Sequence, residues 1–242
     1  MINDLLDLAV AAHGGLGRWH SHRTVSAELS VDGLRLDLKR QTGLFADAIY
    51  EADIHEQRAT LGRFGAPDHQ VRFTPDRLVL ETDAGEVIEV RDNPRGAFVG
   101  HTNETPWDRL HAAYFHGYAM WTYLTQPFLY TYPGFAVDEI EPWEEGGEIW
   151  RRLKVTFPDN IASHTREQVS YFGPGGLLRR HDYAVDVLGG AKGAHYIGDY
   201  RDHGGIQMPH RRRVYPLGAD NRKIPEPVLI AIDIVRLGFG SA

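Results

Sequence analysis

Apolar and polar residues alternate strictly over residues 25–31: Val25, Ala27, Leu29 and Val31 fall on one side, and Ser26, Glu28 and Ser30 on the other. A period of two is that of a strand with one buried face. Leu34, Leu36 and Leu38 continue the alternation against Arg35, Asp37 and Lys39, and Asp32-Gly33 between the runs suits a two-residue turn. The pattern predicts an antiparallel hairpin. Strand-like runs follow at 46–54, 58–64, 70–74, 77–82 and 87–91, separated by turns such as Thr74-Pro75-Asp76. Short links in series predict a meander rather than alternating β-α-β units. A short helix precedes them, capped by Asn3, carrying Leu5, Leu6, Ala9 and Val10, and stopped by Gly14 and Gly15.

The period changes after residue 104. Thr105-Pro106-Trp107-Asp108 offers a threonine N-cap, a proline at the first helical position and an acid three residues after the cap. Trp107, Leu110, Tyr114, Gly117, Trp121 and Leu124 then recur at spacings of three and four, one face of a helix that Pro127 ends. Tyr118 and His111 lie within or beside that stripe, and His116 is expected to point away. Residues 130–147 show no period. Alternation returns with Ile149, Arg151, Leu153, Val155 and Phe157, then with runs at 161–172 and 177–187 around Gly173-Pro174-Gly175-Gly176. Runs at 194–202 and 206–215 flank Gly204-Gly205, and a last strand spans 228–237. About twelve strands and two helices make a single domain, mainly β: a strongly curved antiparallel sheet or half-open barrel, with the N-terminal and aromatic helices covering its concave face.

The helix ending in Ala12-His13-Gly14-Gly15, the aromatic Trp19, the long meander, the hairpin Tyr171-Phe172-Gly173-Pro174-Gly175-Gly176-Leu177-Leu178-Arg179-Arg180 and the later Asp199-Tyr200-Arg201 segment together resemble the LolA-like (lipoprotein-carrier) superfamily, closest to an uncharacterised cytoplasmic branch. The resemblance implies a half-barrel lidded by helices and a cavity for an apolar or amphipathic small molecule, such as an acyl or polyketide-like one.

Composition narrows the chemistry. The 242 residues include no cysteine, which excludes disulfides, a thiol nucleophile and thiolate zinc sites. The scaling of surface with mass puts roughly 70% of the chain's surface out of water, so a core needs no staple. The net charge of −7, with both signs scattered, disfavours nucleic acid as a partner, although His210-Arg211-Arg212-Arg213 is a local basic run. That run is expected to serve as ordinary surface charge. The opening residues, with Asp4 and Asp7 and a first arginine at Arg18, lack a secretory pattern, and no run is long enough to span a bilayer. The expectation is a cytoplasmic protein.

Thirteen histidines would carry the charge from −7 to about +6 if all titrated near 6.5, and buried ones would resist. His20 with His22, Asp199 with His203, and His111 with His116 are the candidate metal pairs. None has a ligand spacing that recommends it, so no metal is expected. No dinucleotide, P-loop or nucleophile-elbow motif occurs, so no cofactor is expected either. If Glu167, Val169 and Tyr171 point inward together with Arg179, His181 and Tyr183, they form one acid–base patch, with His111 supplied by the helix. His164, Arg166 and Gln168 then face solvent. Two functions follow. A binding protein would line its cavity with Trp107, Tyr114, Tyr118 and Trp121. A cofactor-independent cyclase, dehydratase or isomerase would use His181 as acid or base, with Tyr183 or Arg179 polarising a carbonyl.

Overall fold

The computed structural model describes residues 4–241. Helix α1 (Asp4–Ala12) and a short α2 (Leu16–Trp19) lead into β1 (His22–Asp32), followed by a one-turn α3 (Leu34–Leu38). A first meander comprises β2 (Ala48–Asp53), β3 (Arg58–Gly62), β4 (His69–Thr74), β5 (Arg77–Thr82) and β6 (Val87–Asp92). Helix α4 (Arg109–Thr125) links it to the second: β7 (Ala136–Glu145), β8 (Glu148–Thr156), β9 (Glu167–Phe172), β10 (Leu178–Val185), β11 (Ala191–His203), β12 (Ile206–Pro216) and β13 (Ile230–Ser241). All thirteen strands form one antiparallel sheet in the order β6-β5-β4-β3-β2-β1-β13-β12-β11-β10-β9-β8-β7. The sheet does not close: β6 and β7 are its free edges. Strands β1 and β13, from the two ends of the chain, pair at its centre and join the meanders. Among the described residues no helix is long and apolar enough to cross a membrane.

Three sequence expectations fail for identifiable reasons. The Asp32-Gly33 hairpin does not form, because both edges of β1 are taken, by β2 and β13. Residues 34–38 coil instead, burying Leu36 while Leu34 and Leu38 stay partly exposed. Gly33 (φ 126°) makes this possible: a Cβ there would stand 2.6 Å from the Leu229 carbonyl oxygen. Strand β7 fell in the stretch without a period. It is an edge strand, mostly exposed and rich in acids, and its register is broken around Pro142, between Ile140 and Trp143. Helix α4 starts later than expected. Its N-cap is Asp108, whose carboxylate accepts the His111 backbone N–H at 2.8 Å, whereas the Thr105 hydroxyl accepts the Thr102 N–H within the preceding turn. The cap Asn3 expected for α1 lies outside the described residues.

Fourteen of the 17 residues of α4 are buried, so the helix is enclosed on nearly all sides rather than along one stripe. Gly117 brings it against β4, where a Cβ would stand 2.5 Å from the Phe73 ring. His116, expected to point away, is buried and stacks on Phe45 at 4.2 Å. Trp121 donates its indole N–H to the carbonyls of Asp53 and Glu56 at 2.8 and 3.1 Å, which fixes α4 to the end of β2. Trp19 of α2 stacks on Phe128 at 4.2 Å and donates to the Tyr132 hydroxyl at 2.7 Å. Helices α1, α2 and α4 thus occupy the concave face.

Candidate functional site

Strand β10 presents His181 and Tyr183 to the interior, opposite Ser170 of β9 and His195 of β11. Helix α4 lays Tyr118 and Tyr123 over them. Between them sits His164, from the 157–166 connection. Its Nε2 hydrogen-bonds the Tyr123 hydroxyl at 2.7 Å and its Nδ1 the Tyr118 hydroxyl at 3.2 Å. Tyr123 also meets the Tyr183 hydroxyl at 2.8 Å, and the His164 ring stacks on Tyr183 at 4.1 Å. Deeper in, Gln126 donates to the Tyr130 hydroxyl at 2.7 Å and lies 3.1 Å from His181 Nδ1, and Tyr130 meets Ser170 at 2.6 Å. Every group in this network is buried.

Burial sets the protonation. It pushes His181 down to about 3, with the Arg212 guanidinium adding to the effect. It drives His164 and His195 well below the usual imidazole range and raises the hydroxyls of Tyr118 and Tyr123. The network is therefore neutral near pH 7, apart from Arg212.

Beside it lies an apolar cavity between α4 and the sheet. Phe115, Ala119 and Met120 of α4 face Val31, Val214 and Ile232 across it, with Tyr123 and Tyr183 along one wall. Leu36 of α3 and Trp107 line it further. Its free volume is about 50 Å³. The segment ahead of α4 is held by α3. Lys39 donates from Nζ to the carbonyls of Thr102, Asn103 and Thr105 at 2.8–3.0 Å, and Arg35 bonds the Asn103 side chain. The Lys39 ammonium also stands 5.2 Å over the Trp107 ring.

The residues expected at the site divide. His181, Tyr183 and Tyr118 come together in the interior network, and Trp107 lines the cavity. Trp121 and Tyr114 are buried, but Trp121 anchors to the carbonyls of Asp53 and Glu56, and Tyr114 packs against Phe73 and Phe98. His111 belongs to the helix cap, with Nδ1 toward Asp108 and Nε2 3.1 Å from the Ala97 carbonyl. Glu167 is exposed and lies 4.0 Å from Lys154. Tyr171 sits on the other face of the sheet, donating to Asp182 at 2.7 Å beneath the Arg180 guanidinium. Arg179 lies in the bulge between Leu178 and Arg180, against Gly173. The single acid–base patch therefore does not assemble: on β9 the inward face is Gln168 and Ser170, a one-residue change of parity that reverses every side chain.

The interior residues missed by the pattern are His164, Tyr123, Gln126, His195 and Arg212. His164 was counted on the strand that begins only at Glu167. Arg212, taken with its run as surface charge, is 1% exposed, and His210 is buried too. Alternation along 206–214, with Ile206, Met208 and Val214 in one parity, already placed His210 and Arg212 on the apolar side.

No protein-family model matches the sequence, and no curated protein matches it. Solved structures do. A LolA superfamily protein from Nitrosomonas europaea aligns with a TM-score of 0.52 over 99% of this chain and 93% of its own, at 8% identity. A putative outer membrane lipoprotein-sorting protein domain from Vibrio parahaemolyticus aligns with a TM-score of 0.52 over 98% and 91%, at 10% identity. At such identities the likeness is one of fold, and the chain has the LolA-superfamily fold that the sequence resemblance implied.

Proposed function

We propose that the protein binds an apolar or amphipathic small molecule between α4 and the concave face of its sheet. The observation that carries this reading is the apolar cavity lined by Ala119 and Met120 on one side and Val31, Val214 and Ile232 on the other. A covered concavity with apolar walls and a few polar groups at one side is the usual form of a small-molecule site. The likeness of fold to a protein described as a lipoprotein-sorting domain supports the same class of ligand. A chain of ten or twelve carbons exceeds the free volume, so its entry displaces side chains of α4 and the segment that Lys39 holds. The acid–base alternative has less support: His181 does not line the cavity, burial lowers His116 on its wall to about 3, and the hydroxyls of Tyr123 and Tyr183 are raised by burial.

Titration of the intact protein with decanol, followed by tryptophan fluorescence, tests the proposal, because Trp107 lines the cavity. A saturable 1:1 change is expected, lost in Ala119→Phe, which fills the space. A linear, unsaturable change, or one that survives Ala119→Phe, would contradict it.

A further inference from the structure

Arg212 is fully buried on the inward face of β12, and no carboxylate accompanies it. Its Nη2 donates to the Tyr123 carbonyl oxygen at 2.5 Å, its guanidinium stands 5.1 Å over the Tyr123 ring, and Nε and Nη1 have no partner. The titratable groups around it are neutral: the hydroxyls of Tyr123, Tyr130, Tyr183 and Tyr200 and the imidazoles of His13, His181 and His195. His195, diagonal to it across β11, is 0% exposed and has both ring nitrogens unpartnered.

A guanidinium does not shed its proton, and a buried one without a counter-charge costs several kcal/mol. Arg180, equally inaccessible, is held by two carboxylates, Asp182 at 2.7 Å and Glu145 at 3.2 Å. Arg212 instead has free N–H donors beside an imidazole that burial keeps neutral. Such an imidazole can donate one N–H to an anion without adding charge of its own. The pair also adjoins the apolar cavity. Val214, two residues beyond Arg212 on the same face, and Gly193, two residues before His195, both line it, as does Tyr123.

We infer that Arg212 and His195 form an anion site at the inner end of the cavity, which takes the carboxylate of a ligand whose apolar chain lies between α4 and the sheet. This rests on the proposed function and narrows its ligand to an amphipathic acid. Guanidinium and carboxylate match in charge and in planar geometry, and the pairing gains strength where water is excluded.

The test compares dodecanoate with dodecanol, ligands of equal chain length, on the intact protein and on Arg212→Met, with tryptophan fluorescence as the readout. The native protein is expected to bind dodecanoate at least tenfold more tightly than dodecanol. Arg212→Met is expected to abolish that preference while dodecanol affinity changes less than threefold. Equal affinities in the native protein overturn the anion site whether or not the variant folds, and so does a preference that survives in Arg212→Met. Binding of dodecanol without preference for the acid leaves the apolar cavity standing and removes the anion site alone, whereas binding of neither removes both.

Discussion

His164 and Tyr123 share a 2.7 Å hydrogen bond that ties the 157–166 connection to α4 in the middle of the concave face. Because the same imidazole also meets Tyr118, one residue on one meander sets two turns of the helix that covers both. Replacing it with leucine would remove the bond to the Tyr118 hydroxyl and leave the Tyr123 hydroxyl with Tyr183 alone, at about 1–3 kcal/mol for a buried group left without its partner. His164→Leu is expected to lower unfolding free energy by about 2–4 kcal/mol in urea, whereas His164→Gln, which retains a donor and an acceptor, should lose less.

Acid should unfold this protein early. Burial lowers His13 to about 4 and His116 and His181 to about 3, and drives His164 and His195 down as well. With folded values below the unfolded 6.5, the unfolded chain binds more protons at every pH between them. Stability is therefore complete above about pH 6.5 and falls as pH drops toward 4, by up to about 1.4 kcal/mol per pH unit for each such histidine. Urea midpoints measured from pH 7.5 to 4.5 check this. His116→Phe should make the decline shallower, since the ring stacks on Phe45 and its Nε2 has no partner.

Gly117 is the point of closest approach between α4 and β4. Alanine would raise intrinsic helix propensity by about 1 kcal/mol, yet its methyl would stand 2.5 Å from Phe73. The collision dominates in a packed interior, where forced expansion costs about 1–3 kcal/mol. Gly117→Ala is expected to lower Tm, and Phe73→Leu in the same chain to restore part of the loss.

Lys39 holds the segment that leads to the lining residue Trp107 through three carbonyls of residues 102–105. Lys39→Met keeps much of the side chain's apolar stem but leaves these carbonyls without their donor. Cleavage by a broad-specificity protease within residues 99–107, a stretch without lysine or arginine, should quicken, and decanol association, measured by stopped-flow fluorescence, should become faster. An unchanged association rate would place ligand entry elsewhere.

Strands β1, β3 and β4, in which buried residues alternate with more exposed ones, were legible because burial of one face imposes a period of two. Two kinds of element were not. Strand β7 buries almost nothing, so its acids and Pro142 carry no alternation, and residues 34–38 alternate as a strand does although both edges of β1 are already occupied. At the site, His181, Tyr183, Tyr118 and Trp107 were reachable from parity and helical spacing. His164 was not, since a connection has no period to count. Arg212 was misjudged because charge suggested solvent, whereas the parity of Met208 and Val214 pointed inward.

The central claim, that a ligand's apolar chain lies between α4 and the sheet, has a reporter in the chain itself. Of the three methionines, Met120 lines the cavity, Met208 is buried six residues along β12 from the lining residue Val214, and Met1 lies outside the described residues. Methyl NMR of methionine-labelled protein during a decanol titration should show the Met120 signal shifting saturably at one equivalent while Met208 stays in place. A Met120 signal that does not move, or methyl signals that all drift together without saturation, would contradict the account.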